Sequence, residues 1–446
     1  RRKKLKENFK DGLILIMGNN FSPLDCEDNT YPFIQDATFR YYFGIEHNGL
    51  IGIIDINENE EIIFGNDYTM SDIIWMGKQK FLKELALEVG IEKFVEKEEL
   101  KKYLENRKNI RFTNQYKEDN IMYLSSILNI NPFEFDKYTS FDLVKAIIKQ
   151  RNIKDKIEIE EIEKAVNITK EMHLSAMKNV KAGMKEYELV AEVEKQPRKY
   201  NAYYSFQTIL SKNGQILHNH NHLNTLKDGD LVLLDCGALT EEGYCGDMTT
   251  TFPVSGKFTE RQKTIHNIVR DMFDRAKDLA RAGITYKEVH LEACKVLAEN
   301  MKKLGFNLLV NENRKITINN ENIYIAGVTD LWHGNPDAEK ALEGTKKEDF
   351  VLFLTHNPEY FEDMTEDEKE KTDMILAGHT HGGQVTFFGK IIMSAVKDKK
   401  KYGYGMKEYG GHKIYITSGV GGAFLEMFIR FFAQPEIVIF ELKRIN

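Results

Sequence analysis

The run DMILAGHTHGGQV, residues 373–385, closes an apolar stretch with His379 and His381 one residue apart, followed by Gly382 and Gly383. Upstream, DFVLFLTHNPEYF ends its own apolar stretch at His356. The charged segment EYFEDMTEDEKEKTD between them is long enough for a helical crossover. Parallel strands joined by such a crossover bring their carboxyl ends to one sheet edge, where open α/β folds bind ligands. Three imidazoles meeting there suit zinc, iron, manganese or nickel, and the glycines permit close backbone approach. An isolated HxH pair reads as one ligand beside hydrogen-bonded histidines; a third histidine placed in the same way favours a metal.

A second group lies in LLDCGALTEEGYCGD. With a turn around Thr240 to Glu242, antiparallel pairing sets Leu239 opposite Gly243, Gly237 opposite Cys245, and Asp235 opposite Asp247. Directly opposed residues have Cβ atoms about 4.5–5.5 Å apart, where like charges are destabilising. Either one acid is protonated, as in a carboxylate dyad, or a hard divalent cation lies between them. A register one residue off would instead send the acids to opposite faces. The apolar LVLL that delivers Asp235 to a strand end, and the space beside Gly237, favour the cation. His218, in NGQILHNHNH, closes the preceding segment and is placed to carry a proton or bind substrate; alone it would be a surface-loop histidine, which is how His220 and His222 read.

The elements that must position these residues follow from patterning. Residues 11–66 alternate apolar runs with turns, so GLILIMG, RYYFGIE, GLIGIIDI and EIIFGND read as strands, and charged helical patterns follow from Thr69 to Leu104. This is an α/β domain ending near residue 145. Apolar residues at Ile159, Ile162, Val166, Met172 and Ala176 predict an amphipathic helix over 153–180, and MKEYELVAEVEKQ predicts another. SFQTILSKNGQILH reads as a hairpin around Asn213 and Gly214. Two helical patterns run from Glu260 to Leu304. Beyond Phe306, short strands (KITI, IYIAGV, FVLFLT, MILAG, IYITSG, EIVIFEL) alternate with charged helical segments such as DAEKALEGTKKED, a different α/β layer. The two textures meet inside a helix at MKKLGF, an unusual place for a domain boundary.

Composition bounds the function. The chain has 446 residues, 42% hydrophobic and 29% charged, enough for two or three domains. A net charge of -7, mixed in sign, indicates no attraction to nucleic acid or to an anionic membrane. Cys26, Cys236, Cys245 and Cys294 form no CxxC pair and resemble reduced intracellular thiols. No apolar stretch reaches the roughly 20 residues a membrane helix needs. The expectation is a soluble cytoplasmic protein, with RRKKLKENFK a solvated first helix of a fragmentary chain.

Two resemblances sharpen this. GNNFSPLDCEDNTYPFIQDATFRYYFGI, DIIWMGKQ, EIEEIEKAVNITKEMHLSAMKNVKAGMKEYEL and LKDGDLVLLDCGALTEEGYCGDMTTTFPVSGKFTERQ resemble Xaa-Pro aminopeptidase, the aminopeptidase P family of dinuclear metallopeptidases, over about residues 1–304. The resemblance implies a mixed α+β architecture: a creatinase-type N-terminal domain (1–145), then the first part of a pita-bread domain (146–304). It also implies two manganese ions, a metal-bridging hydroxide as nucleophile, peptide substrates with proline at the second position, and association as a homodimer. Asp235 and Asp247 match the family's first two metal ligands, and His218 its substrate-binding histidine. The later histidine and two glutamate ligands, carried in a His-rich glycine segment, a TxEPG segment and a RIED-type segment, have no match here.

AGVTDLWHGNPDAEKAL, LTHNPEYF, DMILAGHTHGGQV and PEIVIFEL resemble the C-terminal half of calcineurin-like metallophosphoesterases, over about residues 301–446. That implies half of an α/β sandwich (305–446), phosphate esters as substrates, and Mn2+, Fe or Zn2+ held by His356, His379 and His381. The family's early ligands, in a DxH motif, a GDxxD-like segment and a GNHD/E motif, have no match. Three readings result: an Xaa-Pro peptidase impaired by its absent late ligands, a phosphoesterase confined to the last third, or an inactive fusion of two reading frames.

Overall fold

The computed structural model describes every residue except Glu27, Asn319, Gln384, Phe388, Gly389, 420–422, 425–426, 429–432 and 444–446. Its described residues divide into two units, Arg1–Lys257 and Phe258–Asn446.

In the first unit the run LILIM forms β1 (Leu13–Met17), buried at every position. Alternate side chains enter opposite cores, as the two-residue period of a strand requires. Ile14 and Ile16 pack with Phe39, Phe43, Leu143 and Ile147. Leu13, Leu15 and Met17 pack with Leu100, Phe112 and Leu124. β2 (Ile51–Asp55) pairs antiparallel with β1, and β3 (Glu60–Gly65) antiparallel with β2. β4 (Lys93–Glu96) and β5 (Ile110–Arg111) complete the sheet β4-β3-β2-β1-β5.

RYYFGIE, expected as a strand, lies instead largely in a helix, α1 (Ala37–Phe43). The Asp36 carboxylate accepts hydrogen bonds from the amides of Thr38 and Phe39, both 2.9 Å, and caps the first turn. Phe39 and Phe43, four residues apart, stack on one face with ring centroids 5.1 Å apart. Gly44 ends the helix at a φ of +66°.

The expected helices appear as α2 (Lys156–Asn179) and α3 (Glu186–Arg198). α2 starts with a reciprocal cap between Asp155 and Glu158. The short β6 (Tyr203–Tyr204) precedes β7 (Ile209–Ser211), β8 (Leu231–Cys236), β9 (Ala238–Leu239) and β10 (Met248–Pro253). The order β10-β8-β7 is antiparallel, and β9 pairs with β6. Met172, Ala176, Leu189 and Val193 share a core with Val232, Leu234 and Cys236.

The hairpin expected over SFQTILSKNGQILH does not form: β7 stops at Ser211 and pairs with β8. The buried Glu186 carboxylate takes the groups a hairpin would use. It accepts from the Ser211 hydroxyl at 3.2 Å, the Lys212 amide at 2.9 Å and the Asn224 side-chain amide at 2.9 Å.

The second unit opens with α4 (Glu260–Leu279) and α5 (Tyr286–Lys303), as the helical patterns predict, each with a reciprocal cap at its start. A six-stranded sheet follows, from β11 (Glu312–Ile318), β12 (Glu321–Gly327), β13 (Phe350–Thr355), β14 (Met374–Ala377), β15 (Gly405–Tyr409) and β16 (His412–Ile416). Its order is β11-β12-β13-β14-β16-β15. The four inner strands run parallel and the outer pairs antiparallel. Val351, Phe353, Ile375, Ala377, Ile414 and Ile416 form the core under the sheet.

Two expectations fail here. DAEKALEGTKKED is helical only over Ala338–Ala341. EIVIFEL forms no strand, because Glu436 is drawn to the loop after β16, accepting from the Ser418 amide at 2.9 Å. Among the described residues no helix is long and apolar enough to cross a membrane.

Candidate functional site

β8 buries Val232, Leu234 and Cys236 completely and turns Asp235 to its other, half-covered face. The register sets Asp235 opposite Thr249 and Cys236 opposite Met248. Direct opposition of Asp235 and Asp247 is therefore corrected by two residues. Extended by one further pair, the register places Asp247 opposite Gly237 and diagonal to Asp235 on the same face, a relation of roughly 7–8 Å. The cause is the loop. The Thr240 amide donates to the Tyr244 carbonyl at 3.0 Å and the Gly243 amide to the Thr240 carbonyl at 2.9 Å. Gly243 thus belongs to a three-residue loop, at a φ of +82° that glycine adopts without strain.

The shift changes the electrostatics. Asp235 faces a hydroxyl, the Thr249 Oγ1 donating to its Oδ1 at 2.8 Å, so no opposed like charge demands a cation. Two carboxylates on one face still offer hard oxygen ligands. Yet no group of three or more His, Cys, Asp or Glu side chains suited to a metal ion occurs among the described residues. The residues present therefore do not fit a dinuclear centre. His218 is exposed in the loop after β7.

His173, which sequence reasoning passed over, braces this sheet from behind. Buried on α2, it places Nδ1 2.8 Å from the Thr250 hydroxyl and Nε2 3.1 Å from the Met248 carbonyl. Burial pushes its imidazole below the usual range, partly offset by the Met248 and Cys236 contacts. Burial likewise pushes the adjacent Cys236 thiol well up. The only sequence signal was a polar residue on the face of Met172 and Ala176, a pattern that usually marks packing.

In the second unit, β13 and β14 pair in parallel and deliver His356 and His379 to the same carboxyl edge. His379 Nδ1 lies 3.1 Å from His356 Nε2. That is hydrogen-bond distance, one ring nitrogen donating to the other, and with no group of three or more His, Cys, Asp or Glu suited to a metal ion among the described residues, the expected convergence of His356, His379 and His381 on one ion is not seen. His381 is two residues further on, and its charge is felt at His379. Burial, then the charges of His356 and His381, push the His379 imidazole down. His379 and His381 have φ values of 67° and 51°, left-handed backbone that costs non-glycine residues of order 1–3 kcal/mol each.

The same edge holds unsatisfied groups. His379 Nε2, Thr380 Oγ1, Asn357 Nδ2 and Thr329 Oγ1 are buried without hydrogen-bond partners. Sequence reasoning also missed Asp330 and Trp332, from the loop after β12. Trp332 meets His379 edge to face at 4.4 Å. Burial pushes the Asp330 carboxyl up, but amide bonds from His333 and Trp332 and the nearby His356 outweigh it and hold it below the usual range. A cavity of about 220 Å³ beside His356 is lined by Gly327, Val328, Leu354 and Thr355.

Comparison with known proteins gives two family matches along the chain. Residues 1–113 match the model described as aminopeptidase P, N-terminal domain, and residues 160–352 match metallopeptidase family M24. The chain carries an aminopeptidase P N-terminal domain and M24 metallopeptidase sequence. It is 28% identical to the Xaa-Pro aminopeptidase of Escherichia coli over 320 residues, 68% of this chain and 72% of that protein. To the Xaa-Pro dipeptidase of Rattus norvegicus it is 26% identical over 309 residues, 66% of this chain but only 61% of that protein. A structure of zinc-substituted Escherichia coli aminopeptidase P in complex with product superposes with a TM-score of 0.61 at 27% identity, covering 69% of this chain and 73% of that one. Pseudomonas aeruginosa aminopeptidase PepP, at 22% identity and a TM-score of 0.61, shares the fold over 68% of this chain and 72% of that one. The mixed α/β pita-bread aminopeptidase P fold is thus present, and the M24 match runs past residue 304 into β13.

Proposed function

We propose that this M24-like chain descends from Xaa-Pro aminopeptidases and acts, if weakly, on peptides with proline at the second position. The observation that carries the reading is that Asp235 and Asp247 share one face of a hairpin inside the M24 match. On this reading they are ligands for a divalent metal, Mn2+ first, and His218 contacts substrate. Turnover is strongly impaired, because a bridging hydroxide needs ligands that the described residues do not supply. The domains run 1–145, 146–304 and 305–446, and the protein associates as a homodimer in the cytoplasm.

A second reading is favoured by the 3.1 Å approach of His356 and His379: residues 305–446 are half of a metallophosphoesterase that takes phosphate esters, with His356, His379 and His381 as ligands for Mn2+, Fe or Zn2+. The third is an inactive fusion of two reading frames. One experiment separates all three. Purified protein with Mn2+ is assayed on an Xaa-Pro peptide and on a nitrophenyl phosphodiester against metal-free controls. Peptide cleavage lost in Asp235→Asn supports the first, diester cleavage lost in His379→Ala supports the second, and neither supports the third.

A further inference from the structure

β11 is an outer strand of the second sheet, and among the described residues its one strand partner is β12. Alternate residues of such a strand turn their N–H and C=O groups away from the sheet, where a further strand can take them. β11 runs seven residues in unbroken register with no proline, and Ile316 and Ile318 are exposed on it. Elsewhere in the same unit, EIVIFEL and the lysine after it carry strand-forming side chains but pair with no strand among the described residues. Ile437 is 84% exposed and Ile439 91%. Glu441 and Lys443, two residues apart, lie on one side of the run, Oε2 to Nζ at 3.1 Å, as alternate residues of a strand do. The run is tethered at its start beyond β16, where the Glu436 amide donates to the Gly419 carbonyl at 3.0 Å. Four strand spacings of about 4.8 Å separate β16 from β11, roughly 19 Å in all. At about 3.4 Å per residue, roughly six of the residues 437–443 would be spent on that crossing, so the run cannot lie along β11 of its own chain.

We propose that residues 437–443 of one copy add as a strand to the β11 edge of a second copy, antiparallel, with Ile439 opposite Ile316. The two sequences select this register. Glu312 then meets Lys443 and Arg314 meets Glu441, while Ile318 meets Ile437 on the same face. Opposite charges and β-branched pairs set directly across a ladder are stabilising, and like charges are not. No other register sets both Glu441 and Lys443 against opposite charges. A slide of two residues opposes Glu312 to Glu441 in one direction and Arg314 to Lys443 in the other. Main-chain hydrogen bonds supply the attraction and the side-chain pairs supply the specificity, as in other strand additions to a sheet edge. Each copy carries one run and one open edge, so two copies that exchange runs close a symmetric dimer with neither left unpaired. This surface lies wholly in the second unit and is independent of either catalytic reading.

The test uses the full chain, with the dimer dissociation constant read from light scattering against concentration. Ile439→Asp, at a side chain too exposed to matter to the isolated fold, should raise that constant at least tenfold. Arg314→Glu alone, or Glu441→Arg alone, should raise it at least threefold by opposing like charges. The double variant R314E/E441R should return to within twofold of the wild type, which only a direct pair across the ladder explains. In parallel, chains carrying Ile316→Cys are mixed with chains carrying Ile439→Cys and oxidised, and peptide mass mapping should find a 316–439 disulfide between chains. Thr317→Cys, on the opposite face, should give none with Ile439→Cys. A chain that stays monomeric, a dimer indifferent to Ile439→Asp, or a double variant no better than its singles overturns the pairing. A 316–439 disulfide that forms within one chain when both cysteines are present, and not between mixed chains, overturns the assignment to a second copy.

Discussion

Replacing His173 by leucine tests the brace behind the candidate site. The side chain is buried between α2 and β10, and leucine fills nearly its volume, so the cavity term is small and the polar term dominates. Two hydrogen bonds are lost, at about 1 kcal/mol each, and leaving a buried Thr250 hydroxyl or Met248 carbonyl unpaired adds about 1–3 kcal/mol. A total of about 3–5 kcal/mol corresponds to roughly 150- to 5000-fold faster exchange of the amides in 231–236 and 248–253. The same substitution alters the pH dependence. The folded imidazole titrates below the ordinary value of 6.5 because it is buried. Between the folded and unfolded values the unfolded chain binds more protons, so stability rises with pH. The neutral form's contribution is complete above about 6.5 and is lost as pH falls toward the folded value. His47, also pushed down by burial, remains in the variant, so the acid slope shrinks but does not vanish. Less than a threefold change in exchange, or an acid slope identical to wild type, would refute the assignment.

Gly246→Ala should destabilise the first unit by about 1–3 kcal/mol in urea unfolding, because its Cβ would lie 2.8 Å from the Ala165 carbonyl oxygen on α2, a backbone atom with no room to move. Asp36→Ala should cost about 0.5–2 kcal/mol by removing the cap of α1, and Asp36→Asn should recover most of it; equal losses in both would argue against capping. His356→Ala should weaken binding of Zn2+ to the second unit at least tenfold by isothermal titration calorimetry, and unchanged affinity would remove that histidine from the ligand set.

The elements that sequence made legible are those whose local pattern and tertiary surroundings agree. LILIM and IGIID are apolar at nearly every position because both faces of their strands are covered. The carboxyl-edge placement of His356 and His379 followed from apolar runs joined by a crossover. The failures come from single side chains acting at a distance. RYYF has strand-like composition, but Asp36 and the Phe39–Phe43 stack impose a helix. The Asn213–Gly214 hairpin signal lost to Glu186, 25 residues upstream of Ser211. The acidic pair was placed on the right face and in the wrong register, since moving the three-residue loop from 240–242 to 241–243, with Gly243 entering it and Thr240 leaving it, keeps parity while sliding the pairing by two. Asp330 and Trp332 carried no periodicity, being in a loop.

The two candidate sites differ in what they need. Asp235 already has a hydroxyl partner, whereas the edge of the second sheet leaves four buried polar atoms unpaired, at about 1–3 kcal/mol each, and holds two histidines in left-handed backbone. Relatedness therefore points to the hairpin while unmet hydrogen bonding points to the histidine edge. A ligand that binds only the folded state stabilises it by about 2.7 kcal/mol at 100 times its dissociation constant. Saturating Zn2+ should accordingly slow exchange in 350–355 and 374–377 by close to 100-fold and leave 231–236 unaffected. His379→Ala should abolish that protection. Protection of 231–236 instead, lost in Asp235→Asn, would move the physical demand for metal to the site that the relatives indicate.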